Sequence, residues 1–193
     1  TLHFLVLLVT LLALLLMPAA PALSYEAGTA SAPFLLSDVG ARAAAMGGAA
    51  TGGPSPQDLV YYNPAGLAFI SQKTIALQHI EDVSGDNYEY ATYVQPLMRR
   101  FGIGLSTSYV YYTDSVRTEF ETLSNFTDYD LGVGLSFAGQ VTPRLALGGT
   151  ATVLQEKLYV YRATTMVFDV GVLYQTPFEG LSLGFVRKNM GRG

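Results

Sequence analysis

Two histidines, His3 and His79, are the side chains of this 193-residue chain best suited to moving protons near neutral pH, and their surroundings decide what chemistry is open. His3 lies in a leucine-rich leader, and His79 has Glu81 and Asp82 nearby. One imidazole does not make a metal centre, which needs three or four ligands. Serines and aspartates are plentiful, yet no strand pattern pairs either with His79 as an acyl-transfer base. The chain has no cysteine, which excludes a thiol nucleophile, a thiolate metal site, a disulfide framework and a lipid-modified N-terminal Cys. Gly102-Ile103-Gly104 and Gly132-Val133-Gly134 sit inside strand patterns with no helix following, so neither is a phosphate loop. Their glycines instead thin one face of the sheet so that something can pack closely against it. Asp58, Asp130, Asp169 and Glu179 read as solvated or packing carboxylates. These residues describe a protein that is not an enzyme and carries neither cofactor nor metal.

What remains is recognition. Phe120, Leu123 and Phe126 place apolar side chains in the longest polar stretch, Thr113 to Asp128, where they could capture a hydrophobic small molecule or simply pack a loop. The elements that would position them follow a period of two. Tyr129, Leu131, Val133, Leu135 and Phe137 point one way, and Asp130, Gly132, Gly134, Ser136 and Ala138 the other. Seven such strands are expected: Thr74–Ile80, Tyr88–Gln95, Phe101–Tyr112, Tyr129–Ala138, Leu145–Gln155, Met166–Gln175 and Leu181–Arg187. Tight, proline-containing turns (Pro96–Arg100, Gly139–Arg144, Thr176–Gly180) alternate with longer polar connections (Glu81–Asn87, Thr113–Asp128, Glu156–Thr165). All the tight turns therefore fall at one end of the sheet.

Greasy alternation at bilayer-spanning length, with short turns at one end and long loops at the other, is the pattern of a transmembrane β-barrel. Tyr88, Tyr90, Tyr109, Tyr111, Tyr112, Tyr129, Tyr159, Tyr161 and Tyr174 near strand ends are expected to form its interfacial girdle. Half the residues are apolar and 13% are charged, yet after the leader no apolar run approaches the roughly 18 residues of a spanning helix. A net charge of −4 without a basic cluster excludes nucleic acid as a partner. A soluble β-sandwich also alternates, but its wet face would carry more Lys, Glu and Gln.

Leu2 to Met17 followed by the small, proline-containing run Pro18 to Leu23 reads as a signal peptide with its cleavage site, residues 1–24. Residues 25–73 form a separate segment, and 74–193 the barrel. In that segment Ala41 to Met46 is expected to be a helix capped by Asp38 and stopped by Gly47-Gly48. Asn63 and Pro64 are expected as the N-cap and first residue of a second helical turn. Seven strands leave two open edges, which lipid does not tolerate. With no initiator Met at Thr1 and an end at Gly193 just past the seventh strand, the expectation is a fragment of a larger barrel.

The run GARAAAMGGAA (Gly40 to Ala50), followed by YYNPAGLA (Tyr61 to Ala68) before the first strand, resembles the start of the PorV/PorQ family, within the FadL-like group of outer-membrane transport barrels. Leu183 to Gly191 also resembles a strand and turn of that family, and Ala45 departs from its pattern, which has Gly there. The resemblance implies an antiparallel up-and-down barrel of about fourteen strands, of which these seven are the first half. It implies an N-terminal plug with Gly47 and Gly48 as its tight turn and Asn63, Pro64 and Ala65 inside it. It further implies a place in the outer membrane of a Gram-negative-type envelope, in contact with its lipid. Passage of a hydrophobic small-molecule ligand through the plugged barrel is the leading expectation. A role in type IX secretion, binding or shuttling cargo with secretion-machine proteins, is the alternative, and a soluble secreted sandwich that binds partners is the third.

Overall fold

Alternating side chains leave a strand with two unlike faces, and neighbouring strands must match them because a one-residue slip would exchange the faces. A computed structural model describes residues 33–53, 56–81, 87–117, 122–158 and 161–191, with backbone alone at 33, 36, 56, 57, 112–117 and 122–127. The expected signal peptide with His3, as well as Asp82, Phe120 and Tyr159, lies outside the described residues. All seven expected strands are present: β1 (Thr74–Glu81), β2 (Asn87–Leu97), β3 (Phe101–Arg117), β4 (Thr122–Gln140), β5 (Leu145–Leu158), β6 (Tyr161–Gln175) and β7 (Ser182–Met190). They form one antiparallel sheet in the order β1 to β7, each strand bonded to its sequence neighbours, and the sheet does not close on itself.

Two expected loops are corrected. The pairing of β3 with β4 runs on through Tyr112↔Asp128 and Asp114↔Phe126 to Arg117↔Thr122, so most of Thr113–Asp128 is strand. Likewise β5 and β6 pair as far as Leu158↔Tyr161, inside the expected Glu156–Thr165 loop. Apolar alternation ends before backbone pairing does, because the ladder's hydrogen bonds are indifferent to side-chain polarity.

Ahead of β1, the chain makes a 3₁₀ turn (Pro33–Leu36), α1 (Ala41–Ala45), α2 (Pro56–Tyr62) and a 3₁₀ helix (Pro64–Phe69). This segment lies on one face of the sheet and supplies half of its core. Leu59, Val60, Ala65 and Leu67 pack with Val94, Ala138, Ala146 and Leu173 of the strands. Phe34, Val39, Ala43 and Tyr62 pack with Tyr88, Tyr90, Val110, Leu154 and Val167. The strand glycines make the approach close. A Cβ at Gly148 would sit 2.5 Å from the Ala65 amide nitrogen, and one at Gly102 would strike the Leu67 carbonyl. The opposite face of the sheet has no such cover among the described residues, and Leu135, Phe137, Val153, Phe168, Val170 and Phe185 stand exposed on it.

Candidate functional site

Asn63 joins the segment to the wall. Its extended backbone precedes Pro64 at the start of the 3₁₀ helix, and its Oδ1 accepts a bond from the Ala65 amide at 3.2 Å. Its Nδ2 donates to the Thr51 carbonyl at 2.9 Å and to the Val172 carbonyl of β6 at 3.0 Å. The side chain is fully buried, so all three bonds form away from bulk water. Pro64 and Ala65 are buried beside it, over Gly148. Nearby, the Ser182 hydroxyl of β7 donates to the Gly52 carbonyl at 2.6 Å, and Gln140 of β4 donates to the Ala68 carbonyl at 2.9 Å.

Gly47 and Gly48 form the expected turn at a distance from this clamp. Both have positive φ, 64° and 76°. The Gly48 amide bonds the Ala43 carbonyl and the Gly47 amide bonds the Ala44 carbonyl, a Schellman ending for α1. Asp38 does not cap that helix. The cap residue is Gly40, at φ 88°, with no side-chain cap bond. The Asp38 carboxylate instead accepts the Tyr62 hydroxyl at 3.0 Å, and that oxygen in turn accepts the Val39 amide at 3.2 Å. Burial, followed by the bond to Asp38, pushes the Tyr62 phenol up to about 12. Tyr61 is raised further still, by burial above all. Its hydroxyl, with one proton to give, lies 2.6 Å from the Leu35 carbonyl and 2.7 Å from that of Ser37.

Next to these tyrosines the sheet contributes residues that alternation alone does not single out. Between the pairs Phe168↔Met190 and Val170↔Arg187, two β7 residues, Lys188 and Asn189, oppose the single residue Asp169. Asn189 takes φ 55° and its amide donates to Asp169 Oδ1 at 2.6 Å. The bulge re-aims Lys188, whose Nζ rests 3.5 Å from the Tyr61 ring centre and 5.8 Å from that of Tyr62. Tyr61 also meets Tyr90 of β2 edge to face at 6.2 Å.

The other expected site residues are spread out. Leu123 and Phe126 belong to β4 and not to a loop, with Leu123 beside the irregularity that ends the β3–β4 pairing. Tyr88 and Tyr90 do not join a girdle. They point inward and are buried against the segment. Tyr109, Tyr111 and Tyr129 do cluster on the uncovered face, at 5.6 and 5.9 Å, with Lys157 5.7 Å from the Tyr129 ring. His79 also lies on that face, its Nδ1 2.6 Å from Glu89 Oε1. The inward serines of β3 and β4 are across the sheet from it, so the described residues bring no serine to this imidazole.

The arrangement holds the segment against the sheet, and among the described residues it brings no serine hydroxyl to His79. No family model and no curated protein matches the chain.

Proposed function

We propose that the chain is part of an outer-membrane β-barrel whose N-terminal segment is a plug, and that it passes hydrophobic small molecules when the plug shifts. The uncovered face of the sheet carries the proposal. Leu77 is 79% exposed, Phe185 70% and Leu135 57%. They belong to a face on which β1 and each strand from β3 to β7 carry exposed large apolar side chains, with the tyrosine cluster toward the end away from the tight turns. A soluble monomer rarely leaves so much contiguous apolar surface in water, and a sandwich would bury this face under a second sheet. A barrel in lipid puts it to use, since lipid-facing residues alternate with lumen-facing ones along every strand. Lipid also requires β1 and β7 to be paired by further strands, because unpaired backbone groups cost several kcal/mol each there.

Passage of hydrophobic molecules is supported by what the plug would leave behind. A cavity of about 270 Å³ at the tight-turn end lies between the segment and the wall, with Leu59, Phe69, Ile70 and Leu173 in its lining. This approaches the roughly 300–1,000 Å³ of small-molecule sites, which are mostly apolar. The chain has no tryptophan, so single Trp variants report depth cleanly. In vesicles containing brominated lipid, Trp fluorescence of Leu135→Trp should be strongly quenched and that of Tyr88→Trp should not. Equal quenching at both positions, or at neither, would remove the lipid-facing assignment.

A further inference from the structure

The segment and the sheet do not close against each other everywhere. Between α2 and the inner face of β2, β3, β5, β6 and β7 lies a cavity of about 40 Å³, lined among others by Tyr90, Ser106, Ser108, Thr152, Asp169 and Lys188. Tyr90 is 6% exposed, and its hydroxyl is fully buried without a hydrogen-bond partner. The hydroxyls of Ser106 and Thr92 are near it, but neither meets bonding geometry. The Thr92 hydroxyl donates elsewhere, to the Leu105 carbonyl at 3.2 Å. A buried phenol oxygen left unpaired costs free energy that a mobile chain would ordinarily avoid, and most such groups are satisfied by protein or by ordered water.

The lining also fixes the kind of partner. Serine and threonine hydroxyls both give and take bonds, Lys188 only gives, and Asp169 only accepts. Lys188 faces Asp169 and, across the seam, Asp38. The cation is thereby offset, and the cavity favours neither a free anion nor a free cation. One water needs at least ~10–15 Å³ and takes ~30 Å³ in the liquid, so the cavity holds about one to three.

We propose that this seam is a binding site for a group of one to three waters, which bridge the Tyr90 hydroxyl to the hydroxyls of β3 and β5 and to Lys188 and Asp169. Such a cluster lets α2 part from the wall without stripping direct hydrogen bonds from either, because the waters stay with the strands. The site needs only the segment seated on the sheet, so it stands or falls separately from the lipid-facing assignment.

The test uses the full chain in detergent. Water relaxation dispersion on the unmodified protein should show long-lived waters. Their amplitude should fall by roughly a third or more in Tyr90→Phe, as the loss of one of at most about three waters implies. It should fall further in Thr152→Leu, which fills the cavity. Tyr90→Phe should also lower Tm by roughly 2–4 °C, as loss of one satisfied hydrogen bond predicts for a chain of this size. A Tm that rises in Tyr90→Phe would mean the hydroxyl was dry and strained, and would overturn the proposal. So would a dispersion amplitude that Tyr90→Phe leaves unchanged, whether or not Thr152→Leu folds.

Discussion

Asn63 does three jobs with one amide: it caps the 3₁₀ helix, ties Thr51 into the segment and ties both to β6. Alanine there would lose the cap and leave two buried carbonyls short of a donor. A cap is worth about 1 kcal/mol and each orphaned buried group about 1–3, so Asn63→Ala should destabilise the fold by about 3–7 kcal/mol in a denaturant titration. Aspartate would keep the cap but set a buried carboxylate oxygen against two carbonyl oxygens, so Asn63→Asp should cost at least as much as alanine. Tyr62 makes a prediction of opposite character, because its effect depends on pH. Its phenol is held up to about 12, so the folded state keeps its proton more tightly than the unfolded chain, whose tyrosines titrate near 10. Below about 10 both states are protonated and the contribution is fully present. As pH rises from about 10 through 12 the unfolded state sheds its proton first, and stability falls. The segment should therefore loosen in alkali, and Tyr62→Phe should flatten the decline measured between pH 10 and 12.

At the scale of elements, the sheet rests on two unlike faces that tolerate opposite changes. On the covered face Gly148 admits the backbone of Pro64 and Ala65, whose nearest atoms would lie 2.5–2.7 Å from an added Cβ. Backbone cannot give way as a flexible side chain can, so Gly148→Val should push the segment off the wall. Faster tryptic cleavage after the exposed Arg42 would report it, with the strands' far-UV signal retained. Leu135→Arg on the uncovered face should cost about 2–4 kcal/mol if lipid covers it near the bilayer midplane, but within about 0.5 kcal/mol if water does. The seven strands were legible, and the facing of β4 with them, because a period of two survives in Tyr129–Phe137 without help from distant residues. The Asn63-Pro64 cap and the Gly47-Gly48 stop were legible for a similar reason, since each is settled within a few residues. Asp38 was misplaced because a glycine at φ 88° already starts α1, and the carboxylate is taken by a tyrosine 24 residues away. Lys188 and Tyr90 were invisible as site residues. Their meeting depends on the β6–β7 bulge and on α2 crossing the sheet, which no local pattern encodes.

At the scale of the molecule, the sheet poses a question of edges. β1 pairs only with β2, and β7 only with β6, among the described residues. Each edge therefore presents a row of backbone groups, and β1 adds the exposed Ile75 and Leu77 beside them. In water such an edge is a liability, because it invites pairing with another chain. In lipid it is prohibitive, because nothing in the hydrocarbon can bond an amide. The proposed barrel thus makes a demand on β1 and β7 that a soluble sheet does not. Hydrogen exchange on the full-length protein in bilayers tests it directly. Amides of β1 that point away from β2, together with those of β7 that point away from β6, should be protected about as well as those of β4, which is paired on both sides. If those outward amides exchange at nearly unprotected rates while β4 stays closed, the edges are open to water. The exposed apolar face would then have to be covered by another protein and not by lipid.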